Sequence, residues 1–241
     1  MKYFEINCDV GEGLDNEAEI MPYIQACNIA CGAHAGNLDS MRNVVDMAIK
    51  NKVKIGAHPS YPDKENFGRK SIIMKKKSLQ NSIKEQVNLL KRITHEKGAI
   101  MHHIKAHGAL YNDIASNEEL ALVFIEAIQT YKEDIKIYVP YNSAVENMAI
   151  KYGFSVIHEA FADRNYNDDL SLLSRKEKNA LITDPNGVLQ HVLEMMNDGK
   201  VTTISGKRIP IKACTFCVHS DTKNALEILK KLNQKRIKYT S

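Results

Sequence analysis

Four histidines follow short apolar runs and stand beside small residues, and imidazole rings can move protons or bind metal ions. They are His34, His58, His107 and His219. An apolar run that breaks off in small residues and a polar side chain is typical of a buried strand that delivers this side chain to a loop. Four such strands in one chain predict that the four rings meet in one pocket.

Acidic and amide side chains accompany these histidines on the first predicted strand and in the turn after it. Asn7 and Asp9 share one face of the strand because its side chains alternate, and Glu12 follows in a glycine-rich turn. Asp9, His34 and His58 together are a typical set of protein ligands for a catalytic metal ion. The same three residues suit acid–base catalysis without a metal equally well. Both alternatives stay open at this point.

A lysine interrupts the fourth predicted strand, on the same face as His103 and His107. Burial of a lysine is costly unless an anion meets it. Lys105 therefore predicts a contact to an oxyanion or a phosphate, and a lysine on an exposed edge strand is the alternative. Tyr111 follows closely and can add hydrogen bonds to a ligand.

Charged residues also end two later strands, and one amide ends an early strand. Arg164 offers a planar guanidinium that suits a carboxylate or a phosphate, although a surface pair with Asp163 would also explain it. Asp221 stands two residues after His219 and can contact a ligand or cap the last helix. With Asn28 in the second strand, these residues complete the predicted binding set.

The elements that must position these side chains alternate between strand and helix. Apolar runs predict strands at residues 3–9, 26–31, 53–58, 101–107, 135–140, 155–161 and 215–219. Amphipathic helical patterns lie between most of them, with predicted starts at Asp39, Ser78, the capping box of residues 116–119, Asp184 and residue 221 or 222. Residues 201–211 predict a hairpin.

This alternation predicts a parallel sheet, and seven or eight units favour a closed barrel over a doubly wound open sheet. In both architectures ligands bind at the carboxyl ends of the strands. The histidines lie at these ends.

The composition is that of an ordinary globular chain, with 241 residues of which 44% are hydrophobic and 26% charged. We expect one domain over residues 1–241, because no linker divides the chain. No apolar stretch reaches the roughly 18 residues that span a bilayer. Since the start also lacks the apolar region of a signal peptide, we expect a cytoplasmic protein without membrane contact. The mild net charge of +4 argues against nucleic acid as a partner.

Seven motifs spread in order over nearly the whole chain resemble those of the LamB/YcsF family. They are Asn7-x-Asp9-x-Gly11-Glu12, Asn28-Ile29-Ala30-Cys31-Gly32-Ala33-His34-Ala35-Gly36, Gly56-Ala57-His58-Pro59-x-Tyr61-Pro62-Asp63, Phe67-Gly68-Arg69, Lys105-x-His107-Gly108-Ala109-Leu110-Tyr111-Asn112, Phe161-Ala162-Asp163-Arg164-x-Tyr166 and Cys217-Val218-His219-x-Asp221.

The resemblance implies a seven-stranded (β/α) barrel, TIM-like and of the glycoside hydrolase and polysaccharide deacetylase type. It also implies the activity of an ATP-dependent 5-oxoprolinase, in which 5-oxoproline, ATP and water give L-glutamate, ADP and phosphate with two partner subunits, B and C. Four positions depart from the family pattern, namely Ala33 for Phe, Asn37 for Asp, Ser60 for Gly and Ala106 for Pro. Asn37 removes a possible charge near His34.

A mechanism follows for this activity as a hypothesis. Lys105 and Arg164 would hold the phosphate or the substrate carboxylate, Asp9 with His34 or His58 would activate water, and His107 would protonate the leaving nitrogen. The remaining predicted substrate-binding residues are Asn7, Glu12, Asn28, Tyr111, Asp163, His219 and Asp221.

ATP is expected as a co-substrate, but the sequence contains no Gly-x4-Gly-Lys-Ser/Thr loop and no Gly-x-Gly-x-x-Gly turn. We therefore expect that phosphorylation of the lactam takes place partly or wholly on the partner subunits. One alternative is a metal-dependent amide or carbohydrate N-acetyl hydrolase that places a divalent ion between Asp9, His34 and His58. The other alternative is a non-catalytic subunit that only binds a small acidic ligand.

Overall fold

The computed structural model describes residues 4–240, which contain nine β-strands. They are β1 (Glu5–Val10), β2 (Ala26–Ala30), β3 (Lys54–His58), β4 (Met101–Ile104), β5 (Lys136–Pro140), β6 (Val156–Phe161), β7 (Lys200–Thr202), β8 (Arg208–Pro210) and β9 (Thr215–His219). Seven of them pair in parallel in the closed order β1-β2-β3-β4-β5-β6-β9. The predicted barrel is confirmed, and the open doubly wound sheet is excluded.

Helices connect the strands and cover the outside of the barrel. They are α1 (Glu17–Ile20), α2 (Leu38–Asn51), α3 (Lys76–Glu96), α4 (Gly108–Ser116), α5 (Glu118–Ile128), α6 (Ala144–Lys151), α7 (Pro185–Asp198) and α8 (Ala225–Thr240). The short strands β7 and β8 pair antiparallel beside the barrel, which confirms the predicted hairpin. No helix in the described part of the chain is long and apolar enough to cross a membrane.

Two of the predicted helix caps are wrong by one or two residues. Asn37, not Asp39, caps α2, and its side chain accepts a hydrogen bond from the third backbone N–H of the helix. Asn117 caps α5 in the same way, because Ser116 is already the last residue of α4. In both places a neighbouring residue could cap nearly as well, so local sequence separates the choices poorly.

Two other helix starts also differ from the prediction. Helix α3 begins at Lys76, two residues before Ser78. Helix α8 begins at Ala225, and Asp221 does not cap it, because its carboxylate binds two arginine side chains instead. The predicted start of α7 is confirmed, since Asp184 caps this helix.

The strand that carries the lysine is shorter than predicted and lies inside the sheet. β4 ends at Ile104, yet the backbone N–H groups of Lys105 and His107 still donate to carbonyls in and after β3. β4 lies between β3 and β5, and Lys105 is only 1% exposed. The alternative of an exposed edge-strand lysine is therefore wrong.

Candidate active site

The side chain of Lys105 lies in the barrel interior, surrounded by acceptors. Its Nζ lies 3.0 Å from Asp9 Oδ1 and 2.9 Å from Glu159 Oε1, and it also contacts Asn7 Oδ1 at 3.4 Å and Cys217 Sγ at 3.1 Å. Burial by itself lowers the pKa of this ammonium, but Asp9 and its other neighbours outweigh burial and raise the pKa well above its ordinary value. The anion that a buried lysine requires is thus supplied by the protein itself.

Glu159 belongs to this centre although the sequence analysis did not select it. It lies on β6, is 2% exposed and pairs with Lys105. Tyr111 lies beside it, and burial, with the charge of Glu159 added, raises the pKa of the Tyr111 hydroxyl well above its ordinary value. The sequence signal for Glu159 was a carboxylate inside an apolar strand. The argument that selected Lys105, a charged residue inside such a strand, would have selected Glu159 too.

Asp9 is held as a carboxylate by an amide, an ammonium and an imidazole. Its Oδ1 accepts hydrogen bonds from Asn28 Nδ2 at 2.8 Å and Lys105 Nζ at 3.0 Å, and its Oδ2 lies 3.4 Å from His58 Nε2. Burial raises the pKa of Asp9, but His58 and Lys105 outweigh burial and hold it well below its ordinary value. Asn28 also donates to the buried Asn7, so Asn28 orients Asp9 and links it to Asn7.

Two backbone carbonyls determine which nitrogens of His58 and His107 carry hydrogen. His58 Nδ1 lies 2.8 Å from Lys105 O, and His107 Nε2 lies 2.9 Å from Phe67 O. A carbonyl oxygen only accepts, so both of these nitrogens are protonated. The other two nitrogens, His58 Nε2 and His107 Nδ1, face each other at 3.0 Å. Two lone pairs cannot meet at this distance, so a proton or a bound cation must lie between them. Burial and the charges of His58 and His34 lower the pKa of His107 well below its ordinary value, so a proton in this contact is donated by His58 Nε2 and accepted by His107 Nδ1.

Glu12 and His34 form a second pair at the same rim. His34 Nδ1 lies 3.0 Å from Ser60 Oγ, which donates its own proton to the carbonyl of Tyr61, so His34 Nδ1 is the donor. His34 Nε2 then faces Glu12 Oε1 at 3.1 Å. Burial raises the pKa of Glu12 to about 7 and lowers the pKa of His34 to about 3. Below about pH 7, a protonated Glu12 therefore donates to a neutral His34.

The grouping of possible metal ligands differs from the expected trio of Asp9, His34 and His58. In the described part of the chain, three sets have ligand atoms within 4.8 Å of one another, namely Asp9–His58–His107, Glu12–His34–His107 and Asp9–Cys217–His219. His34 turns to Glu12 and stacks on His107, with ring centroids 3.7 Å apart. His107 therefore takes the place beside Asp9 and His58 that His34 was expected to fill.

Asp163 acts on His219 and does not form a surface pair with Arg164. It is fully buried, and its carboxylate accepts hydrogen bonds from His219 N, His219 Nδ1 and Thr222 Oγ1. These contacts fix the His219 ring through its Nδ1 atom, and Nε2 is the other ring nitrogen. The ring stacks on Phe161. Asp163 is thus a positioning group for His219.

A cavity of about 460 Å³ opens above this centre, a size that suits a small ligand. It is lined by eight of the predicted site residues, namely Asp9, Glu12, His58, Lys105, His107, Tyr111, Arg164 and His219. It is also lined by three cations that the sequence analysis did not select, namely Arg69, Arg175 and Lys176. The other predicted residues, Asn7, Asn28, His34, Asp163 and Asp221, do not line this cavity.

Arg164 is less free than the sequence suggested. It is 6% exposed, and its guanidinium donates to the backbone carbonyls of Leu173 and Ala180. Burial lowers the pKa of Arg164 from its ordinary value. The side chain therefore supports the segment after β6 while one edge of it lines the cavity.

A closed parallel barrel with a carboxylate, a lysine and imidazoles at its carboxyl rim has the architecture of a (β/α)-barrel enzyme. The family model named LamB/YcsF matches residues 4–239. The chain belongs to the LamB/YcsF family.

Known proteins support this placement over the full length. The chain is 41% identical over 235 residues to the A subunit of 5-oxoprolinase from Campylobacter jejuni, covering 95% of this chain and 92% of the relative. It is 36% identical over 245 residues to the A subunit of 5-oxoprolinase from Haemophilus influenzae, with both chains fully covered.

Solved structures support the fold. The lactam utilization protein of Thermus thermophilus superposes with a TM-score of 0.90 at 28% identity, covering 99% of this chain and 97% of that one. A GH18 chitinase of Pseudoalteromonas aurantia shares the fold alone, with a TM-score of 0.56 at 6% identity and coverages of 95% and 99%.

Proposed function

We propose that this chain is the ring-opening subunit of an ATP-dependent 5-oxoprolinase, which works with partner subunits B and C. The single observation that carries the mechanism is the convergence of His58 Nε2 and His107 Nδ1 at 3.0 Å beside the ionised Asp9. A proton shared by this pair is held where a leaving nitrogen needs one. The curated relatives at 36–41% identity bear the name of this activity.

Opening a lactam requires an electrophilic carbon, because the ring nitrogen donates electrons into the carbonyl. The partner subunits would phosphorylate the amide oxygen with ATP and release ADP. Water then attacks the ring carbon that bears the phosphorylated oxygen, the ring C–N bond breaks with its electron pair on nitrogen, and a second water releases phosphate from the resulting acyl phosphate. L-Glutamate, ADP and phosphate are the products.

The chain's own residues would handle the protons of this sequence. The proton shared by His58 and His107 passes to the leaving nitrogen, and a proton from the attacking water returns to the pair. Asp9 stabilises the charged form of the pair, in the way a buried carboxylate supports an imidazolium. Lys105 keeps Asp9 ionised, and Glu12 with His34 fixes the neighbouring His107 ring through the stack.

The test is reconstitution. This chain is incubated with a chelator, separated from it, and assayed with partner subunits B and C and fresh magnesium–ATP for 5-oxoproline-dependent release of glutamate and phosphate. We expect full activity of the assembled complex and none of this chain alone. ATP hydrolysis and ring opening by the isolated chain at the rate of the complex would contradict the division of labour.

A second candidate is a metal-dependent amide hydrolase. It is favoured by the lone pairs of His58 Nε2 and His107 Nδ1, which face each other. Asp9, His58 and His107 would be three protein ligands of one divalent ion, and the carbonyls of residues 105 and 67 would fix the two rings from outside. Such an ion, when bound, would activate water and polarise the amide. One equivalent of metal per chain, with activity in magnesium–ATP lost after chelation and regained only when a different divalent ion is added as well, would favour this candidate.

A further inference from the structure

Three cations stand at the mouth of the cavity, outside the buried centre. Arg69 lies in the loop after β3, and Arg175 and Lys176 lie in the segment that follows β6. All three line the cavity above Lys105 and His107. The mouth of the cavity is therefore positively charged.

Asp221 ties two of these cations together. Arg69 Nη2 lies 2.7 Å from Asp221 Oδ2, and Arg175 Nη1 lies 3.1 Å from the same oxygen and 3.4 Å from Oδ1. Burial raises the pKa of Asp221, but Arg175 and Arg69 outweigh burial and lower it, so the carboxylate is charged. Loops after β3, β6 and β9 are thus joined by one carboxylate between two guanidinium groups.

Two buried cations, Lys105 and Arg164, are bound by more protein acceptors than the outer pair at the mouth, Arg69 and Arg175. Lys105 contacts two carboxylates inside the barrel, and the guanidinium of Arg164 donates to two backbone carbonyls. Arg69 and Arg175 are 41% and 26% exposed at the side chain, and they share the single carboxylate of Asp221. Of these four cations, Arg69 and Arg175 are the two that can take a further anion by a small rearrangement of side chains.

We propose that Arg69 and Arg175 form the binding site for the phosphoryl group of the activated lactam, and that this group displaces Asp221 when it binds. The inference rests on the proposed function, because that function supplies a phosphorylated substrate. It transfers the role of phosphate clamp, which the sequence suggested for Lys105 and Arg164, to the two arginines at the mouth.

Charge favours a phosphoryl group over a carboxylate at this place. Two guanidinium groups face one carboxylate, so a monocarboxylate that replaced Asp221 would restore the same balance and gain nothing. A dianionic phosphoryl group offers three acceptor oxygens and a second negative charge, and paired guanidinium forks match that geometry. Lys176, which also lines the mouth, adds a third positive charge.

The test measures the binding of inorganic phosphate to the isolated chain by titration calorimetry. We expect Arg69→Gln and Arg175→Gln each to weaken phosphate binding by about tenfold or more, the loss expected of a charge-assisted contact. Asp221→Asn should strengthen phosphate binding, because it removes the internal competitor. The matched control is Arg208→Gln, since Arg208 is likewise an arginine paired with carboxylates, those of Glu194 and Asp198, but lies on the β7–β8 hairpin. This variant should bind phosphate like the wild type.

Every other result of these measurements contradicts the phosphate site or reassigns it. Absence of phosphate binding by the wild type, wild-type phosphate affinity in both arginine variants, or weaker binding by Asp221→Asn would overturn the site. Binding of 5-oxoproline alone that depends on Arg69 and Arg175, with phosphate affinity unchanged, would reassign it to the substrate carboxylate. If the phosphate results are as expected but the assembled complex does not convert 5-oxoproline, the anion site stands and the proposed function fails. If the assembled complex converts 5-oxoproline but the phosphate results are not as expected, the anion site is rejected and the proposed function stands.

Discussion

Replacement of Lys105 by methionine tests whether the buried charge centre is held together as the distances suggest. The substitution removes an ammonium group that lies 3.0 Å from Asp9 and 2.9 Å from Glu159. Both carboxylates are buried, so the variant leaves two negative charges inside the barrel. Removal of one partner from a buried ion pair typically destabilises a protein by about 3–5 kcal/mol. We expect a loss of this size in the free energy of unfolding at pH 7.

The loss should become smaller as the pH falls. In the wild type the pKa of Asp9 lies well below its ordinary value, because His58 and Lys105 outweigh burial. This carboxylate therefore contributes stability that is present above its unfolded pKa and is lost as the pH falls through its folded pKa. Without Lys105 the folded pKa of Asp9 rises, so the variant takes up a proton at a higher pH. The two proteins differ most near neutral pH.

Urea unfolding at pH 7 and pH 5 measures both effects. The control is Lys76→Met, because Lys76 pairs with Glu119 on the surface, where both side chains are more than 60% exposed, and an exposed pair contributes less than about 1 kcal/mol. A second variant, Lys105→Met with Glu159→Gln, should recover part of the loss. The reasoning is refuted if Lys105→Met changes stability no more than the control does, or by the same amount at both pH values.

Three further predictions concern the rim and the barrel interior. His107→Gln should lower kcat of the assembled complex about 10²–10⁴-fold, whereas exposed His95→Gln should leave steady-state kinetics unchanged. Because the protonated form of Glu12 is the donor and its pKa is about 7, activity should fall as pH rises through 7, and Glu12→Gln should abolish that limb of the rate profile. Gly56→Ala places a methyl group inside contact distance of the buried His103 ring and should lower the unfolding free energy by about 1–3 kcal/mol, unlike Gly187→Ala in a helix, as urea titration can show.

Much of the fold was predictable because its signals are local. Apolar runs marked all seven barrel strands, and the alternation with helices favoured closure into a barrel. The placement of Lys105 was predictable for the same reason, since a lysine inside an apolar strand needs an anion. Which anion it meets was not predictable, because Glu159 reaches it across the barrel and that distance depends on how the sheet closes.

The exchange of His34 for His107 beside Asp9 has a different cause. All these rings were assigned to one pocket from their positions after strands, and the structure brings them together there. Their orientations depend on hydrogen bonds to Ser60 and to the carbonyl of Phe67. These partners lie in loops, whose conformation no periodic pattern in the sequence describes. The pairing of distant loops through Asp221 escaped prediction for the same reason.

The most direct test of the central claim is glutamate release by the complex that this chain forms with partner subunits B and C, after His58 has been replaced by glutamine. The account predicts that the complex with the wild-type chain releases glutamate and phosphate in equal amounts from 5-oxoproline and ATP. It predicts that the variant complex releases almost no glutamate. Glutamate release by the variant at the wild-type rate would contradict the assignment of ring opening to the His58–His107 pair.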